Sequence, residues 1–333
     1  MQSTNSGLLN KKDIYFYAGI GASFVLLVVL VITGLLDTAG AGVFWLAGIT
    51  FGITVQRSRF CFTSAFRDYF LLGQTRILKG ILVGLAVATI GFALVMSTVV
   101  PNPSFGTPPS DANVLPVGAS TLIAGTLFGI GMVLAGGCVS GSLYRMGEGY
   151  IGSWLAIGGV LIGLFFLNNT WNWWWDNLIS NESQIWLPKY LSYSWSLVAT
   201  FAALVLILYL AIWRERKAMG GFVMPNIKKR DSGSAPSSSV GELSSYFKKL
   251  ITTEWNPIWA GAILGLINIL LFIRFHPMGV VGEISRWSSS LSNLIGFPEL
   301  QLKGLESLGA CVMVVAEGSW FTEGFFFNFG IIA

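Results

Sequence analysis

The chain is poor in charge. Only 11% of its 333 residues are charged, whereas 53% are hydrophobic. Soluble globular chains carry about 25% charged residues. The composition therefore excludes an ordinary soluble domain and predicts an integral membrane protein. The net charge of +4 does not indicate a nucleic-acid partner, because the basic residues cluster in loops between apolar segments.

Metal-binding and redox motifs are scarce as well. The sequence has three cysteines, Cys61, Cys138 and Cys311, and one histidine, His276. Without a CxxC pair, this pattern argues against a zinc site, an iron–sulfur cluster and a disulfide framework. The absence of a GxxxxGK[ST] motif means that the chain shows no ATPase site of its own. We predict no cofactor and no enzymatic activity.

What the sequence does contain is a series of long apolar runs. The predicted spans are about residues 14–36, 41–56, 77–99, 117–135, 151–167, 195–213, 257–273 and 302–316. The first run is too long for the apolar core of a cleavable signal, which has about 7–15 residues. The last run, 325–333, is shorter than the about 20 residues that a crossing helix needs. A short amphipathic stretch is predicted before residue 297.

Positive residues predict the orientation in the membrane. Lysines precede the first span and a basic group follows the sixth: Lys11, Lys12, Arg214, Arg216 and Lys217. By the positive-inside rule both groups are cytoplasmic, which agrees with six intervening spans. The proline-rich loop 100–116 and the tryptophan-rich loop 168–194 then lie on the outer face. Residues 231–245 read as a flexible linker.

Two spans end in irregular, charged segments. The first is Gln56–Asp68, which carries Cys61. The second is Gly131–Gly149, which carries Cys138 among several glycines. Non-helical backbone at membrane depth survives only if it is buried in protein or lines a wet cavity. Broken segments of this kind point to the substrate site of a transporter.

The chain also contains a weak internal repeat. Trp45, Gly48 and Gly52 are echoed by Trp259, Gly261 and Gly265, and each set is followed by a charged, irregular patch. The two copies start from opposite faces, as in an inverted repeat. We therefore expect an N-terminal helix (1–40), a first repeat (41–213), a basic and Ser-rich linker (214–256) and a second repeat (257–333).

The second repeat is expected to be incomplete. Cys138 lies 59 residues after Lys79, and the same offset from Lys303, the matching lysine, passes the last residue. Overall the sequence predicts an all-α integral membrane protein with about eight to nine transmembrane helices, including re-entrant segments. Genuine asymmetry between the halves is the alternative to a truncated chain.

Two signatures resemble a known family. The segment from Gln56 to Phe62, with Ala65–Asp68, is similar to the first signature of the YeeE/YedE family of bacterial sulfur transporters. The segment Ala135–Gly141, with Tyr144–Gly149, resembles the second. The resemblance implies uptake of thiosulfate or a related sulfur compound across the inner membrane, through a path lined by cysteines. It also implies delivery to a small cytoplasmic sulfurtransferase-type partner.

Thiosulfate has a hard sulfonate end and a soft terminal sulfur. The polarisable thiols of Cys61 and Cys138 suit the soft end. Backbone N–H groups freed at Gly136 and Gly137 suit the hard end. The remaining path candidates are Arg57 and Arg59, which attract an anion to the inner mouth, with Gln56, Tyr144 and, in a span without a break, Cys311.

Other charged residues are expected to hold the breaks together. Arg67 with Asp68, and Arg145 with Glu148, are predicted structural pairs, because charges at this depth need partners. Structural readings stand beside the functional ones. Arg57 and Arg59 also fit positive-inside anchors, and a free cysteine is often a small buried hydrophobe. His276 is expected to be a loop residue.

Two other functions remain open from the sequence. A membrane sulfurtransferase would pass sulfane sulfur as a cysteine persulfide, which requires an activated thiol beside a base or cation. A non-transporting scaffold or regulatory subunit is the third possibility, and it fits a truncated chain that cannot form the complete path. Thiosulfate transport is the leading prediction.

Overall fold

A computed structural model describes residues 38–103, 114–219, 254–275, 278–294, 302–304 and 322–333. The predicted first span, the linker 231–245, His276 and Cys311 lie outside these residues. So does most of the span predicted at 302–316.

Helices dominate the described residues. The first elements are α1 (Thr38–Ser58), α2 (Phe62–Arg67), a π-helical turn (Asp68–Leu72) and α3 (Arg76–Val99). The next are β1 (Pro116–Val117), α4 (Ala119–Ala135), α5 (Val139–Gly147), α6 (Ile151–Asn177), a 3-10 turn (Ile179–Asn181), β2 (Ser183–Gln184) and α7 (Leu187–Met219). The last are α8 (Pro257–Arg274), α9 (Val280–Leu294) and α10 (Glu323–Ile332). The two short strands pair antiparallel, with Pro116 opposite Gln184.

Five described segments are long and apolar enough to cross a membrane. They are Arg76–Val99, Ala119–Gly147, Ile151–Asn181, Leu187–Lys217 and Pro257–Arg274. Large apolar side chains remain exposed along them, as on α4, where Leu134 is 82% exposed. A helix that shows apolar residues outward fits a lipid environment. The architecture is that of an all-α multi-pass membrane protein, and the amphipathic stretch predicted before residue 297 is helix α9.

The tryptophan-rich loop prediction is wrong over its first part. Helix α6 continues to Asn177, so Trp171 and Trp173–Trp175 lie on its last turns. Trp171 is buried, and its indole N–H donates to the carbonyl of Lys303 at 3.0 Å. Residues 302–304, which are distant in sequence, pack against these last turns. That tertiary contact leaves no trace in the local composition.

Glycines let α3 and α8 approach closely. A methyl group on Gly84 would lie 2.8 Å from the carbonyl oxygen of Gly261, and one on Gly265 would lie 2.8 Å from that of Gly84. Contacts advance together along both helices, from Gly80 against Pro257 to Gly91 against Ile269, so the helices run parallel. In membranes such small-residue faces drive helix association, since lipid gives helices no hydrophobic reason to pair.

A second parallel pair is formed by α1 and α10. Methyl groups on Gly48 and Gly52 would meet the backbone of Phe327 and Ile331, respectively. Phe327 and Ile331 also belong to the buried core, together with Phe44 of α1, Leu143 of α5 and Leu271 of α8. This core holds the C-terminal end of α1 beside α5. One break follows α1, and the other directly precedes α5.

Candidate functional site

The two predicted breaks meet at their cysteines. Cys61 lies between α1 and α2, and Cys138 lies between α4 and α5. Their Sγ atoms are 3.7 Å apart although 77 residues separate them in sequence. Cys61 is 1% exposed, whereas Cys138 is partly exposed. Both thiols are free, and each occupies the cap position before a helix in an extended backbone conformation.

Left-handed residues produce both breaks. Gly136 ends α4 with φ 67°, a conformation that glycine adopts at little cost. Arg59 has φ 52° just before Cys61, which is uncommon for a residue with a side chain. The N–H of Gly136 donates to the carbonyl of Val133 at 3.3 Å. The predicted free N–H at Gly136 is therefore wrong, because the turn that ends the helix uses it.

Gly141 is a site residue that sequence reasoning missed. Its backbone N–H donates to Cys138 Sγ at 3.4 Å. A methyl group on Gly141 would lie 3.1 Å from Cys61 Sγ and 3.4 Å from Cys138 Sγ. Position 141 is three residues after a cap residue, where the cap side chain commonly accepts a backbone N–H. That spacing was the available signal for its role.

Arg145 holds the second break in place. Its Nη1 donates to the carbonyl of Gly136 at 2.7 Å, and its Nε donates to the hydroxyl of Tyr144 at 3.3 Å. A guanidinium that bonds a helix-end carbonyl satisfies an acceptor that the broken helix leaves open. The predicted pairing of Arg145 with Glu148 is thus replaced by a bond to the backbone.

Glu148 instead connects the two breaks. Its Oε1 accepts a hydrogen bond from Gln56 Nε2 at 3.0 Å, across 92 residues of sequence. Gln56 lies in the last turn of α1, and Glu148 directly follows α5. The other predicted pair is present in the structure: Arg67 and Asp68 form an ion pair at 2.9 Å.

A cavity of about 1460 Å³ opens beside the breaks. Its lining is rich in cations, with five arginines and three acidic residues: Arg57, Arg59, Arg67, Arg76, Arg145, Asp68, Glu148 and Glu254. Arg59 and Arg67 have acidic partners, Glu254 at 3.7 Å and Asp68. Arg57 and Arg76 have no ion pair among the residues that the structure describes. The cavity therefore presents unneutralised positive charge.

The two thiols do not line this cavity themselves. Ser64 and Tyr144, which lie on the short helices that Cys61 and Cys138 begin, are part of its wall. The thiol pair thus lies close to the wall of an electropositive cavity. Such an arrangement can hold the soft sulfur of an anion at the thiols while its oxygens face arginine.

Comparison with known proteins agrees with this chemistry. A family model described as sulphur transport matches residues 57–333. The chain belongs to the sulphur transport family. The match includes Cys61, Cys138 and all five arginines of the cavity.

Several members of the sulphur transport family are similar in sequence. The probable transporter YedE of Escherichia coli is 36% identical over 177 residues, which are 53% of this chain and 41% of that protein. The thiosulfate transporter TsuA of Escherichia coli is 39% identical over 113 residues, 34% of this chain and 30% of the relative. The thiosulfate transporter TsuA of Spirochaeta thermophila is 37% identical over 130 residues, which are 39% of this chain and 37% of that protein. The chain therefore spans less than half the length of these curated relatives.

The structure brings together most of the predicted path residues. Cys61 and Cys138 touch, and Gln56, Arg57, Arg59 and Tyr144 line the neighbouring cavity. Gly136 and Gly137 lie in the same break, where Arg145 bonds the carbonyl of Gly136. Cys311 lies outside the described residues.

Proposed function

We propose that the chain moves thiosulfate, or a related sulfur anion, inward across the bacterial inner membrane. The observation that carries this proposal is the contact of Cys61 Sγ and Cys138 Sγ at 3.7 Å beside a cavity with unneutralised arginines. The names of the TsuA relatives support thiosulfate as the substrate class.

The path runs from the outer face to the thiols and then into the cavity. An S–H group is a weak donor and a soft contact, so it replaces part of the hydration of a terminal sulfur without holding it tightly. Conduction requires this balance, because a site that binds too strongly does not release. Arg57 and Arg76 then draw the anion out of the thiol contact and into the cavity.

The cavity faces the cytoplasm in this proposal. Basic residues at the end of α7, Arg214, Arg216 and Lys217, support a cytoplasmic position for that end by the positive-inside rule. Ion pairing of Lys79 in α3 with Glu215 in α7, at 2.9 Å, brings the start of α3 to the same side. In the same proposal, a small sulfurtransferase-type protein receives the sulfur compound at the mouth of this cavity.

An inverted repeat underlies the site. The matched glycine pairs, Gly48 with Gly52 and Gly261 with Gly265, serve the same purpose in α1 and α8. Each pair receives a parallel helix at backbone contact distance, α10 in the first case and α3 in the second. This shared use supports an internal repeat in which each unit contributes one glycine-faced helix.

The first test is uptake of labelled thiosulfate in cells that lack other thiosulfate importers. We expect Cys138→Ala and Cys138→Ser each to lower uptake by at least about ten-fold, because neither side chain provides a soft sulfur contact. The control is Val133→Ala, on the exposed side of α4 near the same break. All variants are compared at equal amounts of protein in the membrane.

The outcomes separate the parts of this proposal. Saturable uptake that is lost in both cysteine variants and kept in the control supports the transport path. Full uptake by Cys138→Ser contradicts a need for sulfur at that position. A well-expressed native chain that takes up no thiosulfate contradicts thiosulfate transport by this chain.

The cavity arginines provide a second prediction. We expect the double variant Arg57→Gln, Arg76→Gln to slow thiosulfate exchange in proteoliposomes by about three- to ten-fold at low ionic strength. The deficit should shrink at high salt, since the screening length falls from about 30 Å at 0.01 M to about 3 Å at 1 M. Arg216→Gln removes a charge outside the cavity and should leave exchange unchanged. A deficit that does not depend on salt would contradict electrostatic attraction.

A further inference from the structure

The thiol contact has a chemical capability that transport does not use. Two free thiols at 3.7 Å, both belonging to non-helical residues, are near the separation at which they are oxidised together. A disulfide needs its sulfurs at about 2.05 Å, so each sulfur has to move by less than about 1 Å. Gly141, which has no side chain, lies beside both sulfurs, and a methyl group there would lie 3.1 Å from Cys61 Sγ and 3.4 Å from Cys138 Sγ.

Both cysteines lie outside the regular helices. Each is the cap residue before a short helix and has an extended backbone conformation. Cys138 is partly exposed whereas Cys61 is buried, so Cys138 is the thiol that we expect a small oxidant to reach first.

We propose that Cys61 and Cys138 form a reversible disulfide that closes the transport path under oxidising conditions. A peroxide is the oxidant: Cys138–SH reacts with H₂O₂ to give Cys138–SOH and one water. The sulfur of Cys61 then attacks the sulfenic sulfur, the S–S bond forms and the S–O bond breaks. The hydroxyl leaves with the thiol proton as a second water, so two thiols are oxidised and one peroxide is reduced to two waters.

The disulfide acts on transport in two ways. It removes both S–H groups, which are the soft donors of the path. It also ties the break after α1 to the break after α4, so the two segments cannot separate to admit an anion. Small dithiols reverse the reaction by thiol–disulfide exchange. The effect on uptake rests on the proposed function, but formation of the disulfide does not.

The disulfide is tested directly by mass spectrometry. The full chain carrying Cys311→Ser, purified in detergent, is exposed to H₂O₂, alkylated and digested. We expect a peptide pair joined through Cys61 and Cys138, lighter by two hydrogens and lost after dithiothreitol. In the matched variant with Cys61→Ser added, no joined pair forms, and Cys138 advances to the sulfinic acid because its resolving thiol is missing. Failure to join the peptides, with both thiols still alkylated or separately over-oxidised, would overturn the proposal.

Uptake tests the closing of the path. In cells carrying the native chain, brief peroxide treatment should lower thiosulfate uptake by at least about ten-fold, and dithiothreitol should restore it. Joined peptides with undiminished uptake would overturn the closing effect. If the reduced chain shows no uptake, the failure lies in the proposed function, and the joined peptide alone decides whether the disulfide site exists.

Discussion

Gly261→Ala is expected to lower the thermal stability of the protein by several degrees. The added methyl group would point into the backbone of Gly80 and lie 3.3 Å from the N atom of Gly84. Backbone atoms cannot rotate away as a side chain can, so α3 and α8 have to separate. Overpacking of this kind costs about 1–3 kcal/mol, a large share of a stability of about 5–15 kcal/mol.

The measurement is the temperature at which detergent-solubilised protein loses its monodisperse peak in size-exclusion chromatography. The matched control is Gly125→Ala in α4, where a methyl group meets nothing within 4 Å. Alanine is favoured over glycine inside a helix by about 0.5–1 kcal/mol, so this control should be unchanged or slightly stabilised. Equal transition temperatures for the two variants would contradict a contribution of the close glycine contact between α3 and α8 to thermal stability.

Gly141→Ala should abolish most uptake without unfolding the protein. The new methyl group would lie 3.1 Å from Cys61 Sγ and 3.4 Å from Cys138 Sγ, so both sulfurs have to move. Position-dependent chemistry is sensitive to such shifts, and displacements of about 1 Å can cost about 100-fold. We expect a loss of about ten-fold in uptake and a slower reaction of the thiols with each other.

The control for this variant is Gly159→Ala in α6, where a methyl group meets nothing within 4 Å. Both proteins should reach the membrane in equal amounts and show similar transition temperatures. If Gly141→Ala retains full uptake, the spacing of the two thiols does not govern transport. If Gly141→Ala also fails to accumulate in the membrane, Gly141→Ser, with its larger side chain, cannot replace it as a test. The shift of the sulfurs is then measured as the rate of peroxide-driven disulfide formation in the folded protein that remains.

The breaks could be predicted from sequence, but their contact could not. Charges around Cys61 and glycines with charges around Cys138 interrupt the apolar runs, and both are unusual within a membrane-spanning helix unless a site needs them. The sequence of one segment does not indicate that it contacts the other, because the two cysteines are 77 positions apart in the chain. Their contact depends on the packing of α1, α5, α8 and α10 around one core. Gly141 was missed for the same reason, since its role involves Cys61 as well as its neighbour Cys138.

Charge pairing was harder to predict than helix position. Arg67 and Asp68 are sequence neighbours and form the expected pair. Arg145 and Glu148 are also close in sequence, but the open carbonyl of Gly136 and the amide of Gln56 compete for them. Those competitors exist only once the chain has turned at Gly136. The domain boundaries drawn from the repeat stay a prediction.

The parallel pairing of α3 with α8 also constrains how the protein is made. Synthesis proceeds at about 5–20 residues per second, and about 180 residues separate Gly80 from Gly261, so α3 waits about 10–40 s for its partner. During that interval its glycine face is open to lipid or to an insertion chaperone. The second parallel pair, α1 with α10, forms later still relative to its first helix, because about 280 residues separate Gly48 from Phe327. The segments around Cys61 and Cys138 are therefore synthesised well before α8 and α10, whose residues share the core beside them.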